Sequence, residues 1–195
     1  MTLTSGRKRL SKLATCLLVC AGVLAFACAT AGAAARGCAN ANLRPTTAPG
    51  NARPIDHAIL CVVDQVRSAH RLGPLRANGA LASVAASEVA SMIRWDYFAE
   101  TGPAGQTPLT LVVGTSYPAH AADIAVGENI AWGTGADTTP ARIVAAWMAS
   151  PPHRANILSV QYHDAGVAVT PAVPSVLRVG HSGATYAFEF GVRRP

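Results

Sequence analysis

The hydrophobic period changes once along this chain, from helical to two-residue, and that switch restricts the fold more than any single motif. After Pro54, Ile55, Ile59, Val62, Val63 and Val66 recur at helical spacing, and Leu72-Gly73-Pro74 ends the run. A second helix is predicted from about Ala80 to Arg94, with Leu81, Ala85, Glu88 and Met92 on one stripe. Glu88 is therefore a carboxylate on an otherwise apolar line. A third helix starts at Thr138-Thr139-Pro140, with Thr139 as N-cap and Pro140 at the first helical position, and ends at Ser150. Beyond His153 the period is two. Ala165 to Thr170 is a predicted strand, and Val176 to Val179 and Thr185 to Phe190 flank Gly180-His181-Ser182-Gly183 as a predicted hairpin. Tyr186, Phe188 and Phe190 would line one face of the last strand. Helices first and an antiparallel meander last predict an α+β fold. Residues 99–127, rich in Gly, Pro and Thr, read as a long loop.

The 195 residues divide into three predicted parts: 1–35 a signal peptide, 36–53 an N-terminal arm and 54–195 one folded domain. Arg7, Lys8, Arg9 and Lys12 form a basic start. An uncharged run from Leu13 to Ala35 follows, and Ala31-Gly32-Ala33 and Ala33-Ala34-Ala35 offer small-residue cleavage sites. The pattern predicts a secreted, extracellular protein cut near Ala33 to Arg36, with no stable membrane span once the signal is removed. Two rivals stand beside it: a retained anchor, since the run is long enough to span a bilayer, and lipid modification at Cys28. Without the first 35 residues the chain keeps 12 arginines against 10 acidic residues. That small surplus, and the lack of any basic run interleaved with aromatics, exclude a nucleic-acid partner.

Cys16, Cys20 and Cys28 lie in the apolar run, which leaves Cys38 and Cys61. Two cysteines in an exported chain are most simply a disulfide, and two unpaired thiols are the alternative. The bridge would tie the arm to the first helix across a loop of about 22 residues, a stabilisation of about 3 kcal/mol on the loop-entropy model.

The chemistry-bearing residues concentrate between Gly127 and Leu158. Glu128 sits between Gly127 and Gly133, and Pro151-Pro152 stops a helix just before His153. Turns held around a carboxylate and an imidazole would set both against one cavity. Ser150, His153 and a carboxylate have the composition of a nucleophilic triad. Ser-Pro-Pro-His supplies no oxyanion turn, so Ser150 reads as a helix-terminal hydroxyl. His163-Asp164 reads as a cap or surface pair. Trp132 and Trp147 read as core, and Asn156 as a side chain satisfying backbone groups after His153.

In order and spacing, several segments resemble the CAP superfamily, or SCP domain, in its bacterial secreted branch. They are Cys61 to Arg67 with Leu72-Gly73-Pro74-Leu75, Met92 with Tyr97-Phe98, Gly105 to Pro108, Gly127-Glu128-Asn129-Ile130-Ala131, Trp147 to Pro151, His153 to Leu158 and Gly166 to Val169. The resemblance covers roughly Ile55 to Arg194. It implies an α–β–α sandwich with a small antiparallel sheet between helices, and a cleft of His and Glu residues that in many members binds a divalent metal. Some bacterial members also share a feature like the Cys38–Cys61 pair. By motif, the cleft glutamate is Glu128 and a cleft histidine is His153. Glu100 stands where another histidine is expected, and Ser150 where a second glutamate is expected. Glu88 holds a further position often occupied by His. With Glu100, Glu128 and His153 as the implied metal ligands, the set is harder than a two-imidazole site. As a divalent-metal site it would favour calcium, magnesium or manganese over zinc. Without an ion, Glu100 and Glu128 would repel, and a protonated His153 between them would act as counter-ion.

The expectation is a secreted CAP/SCP-domain protein acting as a non-catalytic extracellular binding or interaction module with a degenerate His/Glu cleft. Its partner would be a lipid, a cell-wall fragment or a protein. Only 13% of residues are charged, which leaves apolar surface for such a ligand. The alternative is a metal-dependent hydrolase acting on an extracellular or cell-wall substrate through Glu100, Glu128 and His153.

Overall fold

The computed structural model describes residues 37–180 and 182–195; the predicted signal peptide falls outside them, as does His181 of the predicted hairpin turn. The elements in order are α1 (Ala52–Ala69), β1 (Arg76–Ala77), α2 (Gly79–Arg94), α3 (Pro108–Val113), β2 (Asp123–Thr134), α4 (Pro140–Ala149), α5 (Pro151–Ile157), β3 (Asp164–Thr170) and β4 (Gly183–Arg194). Short 3-10 turns lie at Gly135–Thr138 and Ser175–Leu177. The sheet order is β1-β3-β4-β2. β4 is antiparallel to both neighbours, and two-residue β1 is parallel to β3.

The strand period of two sorts β4 into two buried faces. Tyr186, Phe188 and Phe190 enter one core with Ile55, Ile59, Val62 and Val63 of α1, Ile143, Val144 and Trp147 of α4, and Ile157 of α5. Burying each large ring contributes on the order of 2–3 kcal/mol. Ala187, on the opposite face, packs with Ala168, Ile130 and the α2 residues Ala85, Val89 and Met92. The fold is thus an α–β–α sandwich, as the resemblance implies, with α1, α4 and α5 on one side of the sheet and α2 on the other.

Local chemistry explains most boundaries. Asn78 caps α2 by accepting from the backbone N–H groups of Ala80 and Leu81 at 3.0 and 3.2 Å. Ser150 ends α4 and begins α5, with Pro151 and Pro152 in the first turn of the new helix. Those prolines therefore stop one helix by starting another, and His153 lies inside a helix rather than a turn. Gly166 has Leu81 and Ala82 of α2 pressed against the space a side chain would need, so α2 crosses the sheet there at backbone contact.

Two expectations need correction. The stretch from Asp123 to Thr134 is a twelve-residue strand, not the end of a loop followed by turns. The residue before Gly127 and the one after are both in this strand, and Tyr162 and Asn156 fill the space where a Cβ at Gly127 would go. The glycine serves close packing, not chain reversal. Val176 to Val179 forms no strand; Ser175–Leu177 is a 3-10 turn, and Arg178 follows in the left-handed region at φ 51°. The hairpin partner of β4 is β3.

The Cys38–Cys61 bridge is present, with an S–S distance of 2.02 Å. It fixes the arm to α1, and the N–H of Ala141 on α4 donates to the carbonyl of Ala41 at 2.9 Å. A second tie comes from Arg67, a buried arginine of α1. Its guanidinium donates to the carbonyls of Gly73, Ile157, Ser159 and Tyr162 at 2.8–3.3 Å. Four acceptors satisfy a cation that burial would otherwise penalise. Among the described residues no helix is long and apolar enough to cross a membrane.

Candidate functional site: a buried carboxyl pair under α2

The chain contains four glutamates, and the fold draws all four towards one place. Glu128 on β2 lies directly opposite Glu189 on β4. The carbonyl of Glu128 points off the sheet edge, where it accepts from Asn156 Nδ2 at 2.9 Å. The two glutamates are therefore a cross-strand pair of the non-hydrogen-bonded kind, in which side chains approach most closely. Both point towards α2, which brings Glu88. Glu128 is 4% exposed, Glu189 0% and Glu88 3%. Glu100, on the exposed segment after α2, adds its charge to the field at both paired carboxyls.

Among the described residues, no hydrogen-bond donor reaches the four carboxyl oxygens of Glu128 and Glu189. Their backbone register sets the two side chains opposite each other on the same face of the sheet. Burial pushes both carboxyls far above the ordinary glutamate range. For Glu128 the charge and hydrogen bond of Glu189 come next, then Glu88 and Glu100. For Glu189 the hydrogen bond from Glu128 works the other way, lowering its proton affinity, while Glu88 and Glu100 raise it. Burial also raises Glu88. Tyr97 closes the rim, donating to Ser91 Oγ at 2.9 Å and lying within the field of Glu88 and Glu128.

His153 and Ser150 stand elsewhere. Adjacent strand residues point to opposite faces, so Asn129 turns away from Glu128 and into the other layer. There Asn129 Nδ2 donates to the carbonyl of His153 at 3.0 Å, and Asn156 Nδ2 donates to Asn129 Oδ1 at 2.9 Å. This amide lattice holds α5 against β2. His153 is half-buried, and its imidazole is not among the groups acting on Glu128. The hydroxyl of Ser150 makes no capping bond to α5. The structure therefore gathers Glu88, Glu100 and Glu128 with Glu189, and leaves His153 and Ser150 at the α4–α5 junction.

Among the described residues, no three His, Cys, Asp or Glu side chains stand together as a metal-binding group. Glu100, Glu128 and His153 do not converge on one point, and the donors that do meet are two carboxyls joined to each other.

Sequence reasoning passed over Glu189 because an alternating strand reads as one buried and one solvated face. The available signal was the small residues on its own face, Thr185, Ala187 and Gly191, which leave room for a covering helix.

Asp164 also departs from expectation. It is buried, not on the surface. Tyr117 Oη donates to its Oδ2 at 2.9 Å, Arg76 Nε to its Oδ1 at 3.2 Å, and Arg193 Nε lies 3.6 Å from Oδ2. Trp147 is core as expected, donating its indole N–H to the carbonyl of Ile130 at 3.0 Å, whereas Trp132 is 38% exposed.

The chain thus sets a four-stranded sheet between helical layers, with a glutamate of β2 buried on the face that α2 covers. A family model described as CAP, the cysteine-rich secretory protein family, matches residues 60–173, and the chain belongs to that family. Among curated proteins it is similar to the uncharacterized protein YkwD of Bacillus subtilis, 30% identical over 124 residues, covering 63% of this chain and 45% of that protein. The chain thus spans less than half the length of that relative. Among solved structures it is similar to an extracellular SCP-domain protein of Bacillus anthracis (TM-score 0.59, 22% identity, 77% of this chain and 45% of the other). An outer surface protein of Borrelia burgdorferi also shares the fold (TM-score 0.55, 19% identity, 68% of this chain and 87% of the other).

Proposed function

We propose that this protein is an exported, non-catalytic binding module, cleaved near Ala33 to Arg36 and working outside the cell. The observation that carries the reading is the closed carboxyl pair. Glu128 and Glu189 are buried opposite each other and under α2, and among the described residues no hydrogen-bond donor reaches their carboxyl oxygens. General acid–base work needs a group within reach of the substrate proton, and buried partners of each other offer none. The Cys38–Cys61 bridge supports an oxidising compartment. Exposed Trp95 and Trp132 supply aromatic contact area of the kind used to hold a lipid, a cell-wall fragment or a protein.

The test is incubation of the protein with an insoluble cell-wall fraction and, separately, with phospholipid vesicles, followed by sedimentation and analysis of the supernatant for released products. Co-sedimentation without product release is the expected result, with Trp132→Ala weakening it. Time-dependent release of soluble fragments, abolished in Glu128→Gln, would establish the hydrolase reading instead.

A further inference from the structure

A shallow, mostly apolar groove runs along α1, lined by His57, Leu60, Cys61, Asp64, Gln65 and Ser68. At helical spacing these side chains form one stripe, about 16 Å from His57 to Ser68 at the rise of an α-helix. Its one carboxylate is Asp64, whose Oδ1 accepts from the N–H of Leu75 at 2.9 Å. A carboxylate has about four acceptor positions, so one backbone N–H leaves capacity over. Burial raises the proton affinity of Asp64, and Leu75 and Arg67 offset that only in part. The guanidinium of Arg67 is itself committed to four carbonyls. Next to Asp64 in the groove, Gln65 Oε1 is buried, and no donor among the described residues reaches it. The groove therefore offers acceptors and a negative charge, and lacks a cationic donor.

Gly37, the first described residue, stands at this place. A side chain on it would meet Gln65 Nε2, and the following Cys38 is bridged to Cys61. From the bridge the arm runs the other way, where Ala39 and Asn40 line a second groove with Arg53 and Pro54 at the start of α1. Cleavage near Ala33 to Arg36 leaves at most three residues ahead of Gly37, Ala34-Ala35-Arg36. Their span is about 10 Å when extended, which keeps the new chain start within reach of Gln65 and Asp64. We infer that the α-ammonium exposed by signal cleavage seats in the α1 groove on Asp64 and Gln65 Oε1, and fastens the arm to α1 beside the disulfide. The inference rests on the export and cleavage proposed above. An uncut chain has a neutral peptide N–H where the processed one has three donors and a positive charge, so it cannot complete this site. The groove thus tells the processed protein from its precursor.

The composition makes the test specific. The chain's two lysines, Lys8 and Lys12, lie ahead of the cleavage sites, so the α-amine is the sole primary amine of the processed protein. The exported protein is checked by intact mass and then labelled with an acetyl N-hydroxysuccinimide ester near pH 7, both folded and unfolded in guanidinium chloride. An ion-paired ammonium gives up its proton reluctantly, so the folded wild type should label about fivefold or more slowly than the unfolded chain. Gln65→Leu and Asp64→Asn should each bring the folded rate most of the way back. Asp137→Asn, which alters an exposed acid outside the groove, should not. About 1 M NaCl should speed labelling of the folded wild type by screening the pair, a readout that stands even where a groove variant fails to fold. A folded rate within about twofold of the unfolded one would overturn the inference, leave export and cleavage standing, and return the groove to an outside ligand. Protection that neither salt nor either groove variant relieves would overturn it too. A mass that retains Met1 would instead remove the cleavage reading, and this inference with it.

Discussion

Two buried acidic sites lie two residues apart on the same face of the sheet, and they solve the problem of a buried carboxyl in opposite ways. Asp164, opposite Gly191, is met by two guanidinium groups and a phenol. Glu189, one step along the same face, lies opposite Glu128 in the field of Glu88 and Glu100, and among the described residues no donor reaches its carboxyl. The first site is a charge with its counter-charges drawn in from the surface; Arg76 is 73% exposed at its side chain, so much of its charge remains hydrated. At the second, no hydrogen-bond donor among the described residues reaches the carboxyl oxygens, and burial raises the proton affinity of both glutamates. Burial alone does not decide what a carboxyl does. The donors its neighbours supply decide it, and Gly166, opposite Glu189 on β3, has no side chain to supply one.

The sharpest way to break this contrast is Asp164→Ala. It strands the buried Tyr117 hydroxyl and leaves Arg76 and Arg193 facing each other, so it should destabilise by about 3 kcal/mol in urea unfolding. A loss under about 1 kcal/mol would mean the arginines never depended on it. The glutamate pair should behave oppositely. Replacing both Glu128 and Glu189 by Met removes two desolvated acids and should leave stability unchanged or raise it by about 1–2 kcal/mol near pH 8. Loss of stability there would show the pair to be a net stabiliser.

Asp56 sharpens the comparison from a third place. It lies on α1, its Oδ1 is buried without a partner, and burial pushes its carboxyl up to about 7. Its folded affinity for protons exceeds the unfolded one, so its contribution is fully present below about pH 4 and is lost as pH rises through about 7. Asp56→Asn should remove that part of the pH slope, about 1 kcal/mol after allowing for its partial exposure. It should leave the higher-pH part to the glutamates. The smallest effect expected is from Arg76→Ala, about 0.5 kcal/mol, because an exposed arginine on a site already served by Arg193 and Tyr117 adds little. Thermal or urea midpoints at low and high salt would measure it.

The legibility of these features in the sequence follows the strength of their local signals. The helices beginning near Pro54, Ala80 and Pro140 are visible because apolar side chains recur on one face and because caps and prolines mark their ends. Strand β2 is hidden. Its glycines at 127 and 133 imitate turns, while the atoms that require them, on Tyr162, Asn156 and Asp137, come from distant or later segments. Glu128 is legible through its motif, since a carboxylate between glycines before an asparagine is unusual. Its true partner is not, because the pairing of Glu128 with Glu189 depends on register between strands 61 residues apart. The separation of Glu128 from His153 is likewise a consequence of strand alternation, which becomes readable only once residues 123–134 are known to be a strand.

The lattice of Asn129, Asn156 and the carbonyl of Glu128 has a consequence for how copies of this protein behave when crowded. β2 is an outermost strand, and an outermost strand with free carbonyls is a template for another chain. The Asn156 amide occupies the Glu128 carbonyl in the middle of that rim and seats α5 along it. The opposite rim is the two residues of β1 and, beyond them, β3 from Gly166 to Thr170. A side-chain amide from α5 thus takes up one carbonyl at the middle of the β2 border, a contact that another chain adding there would have to displace.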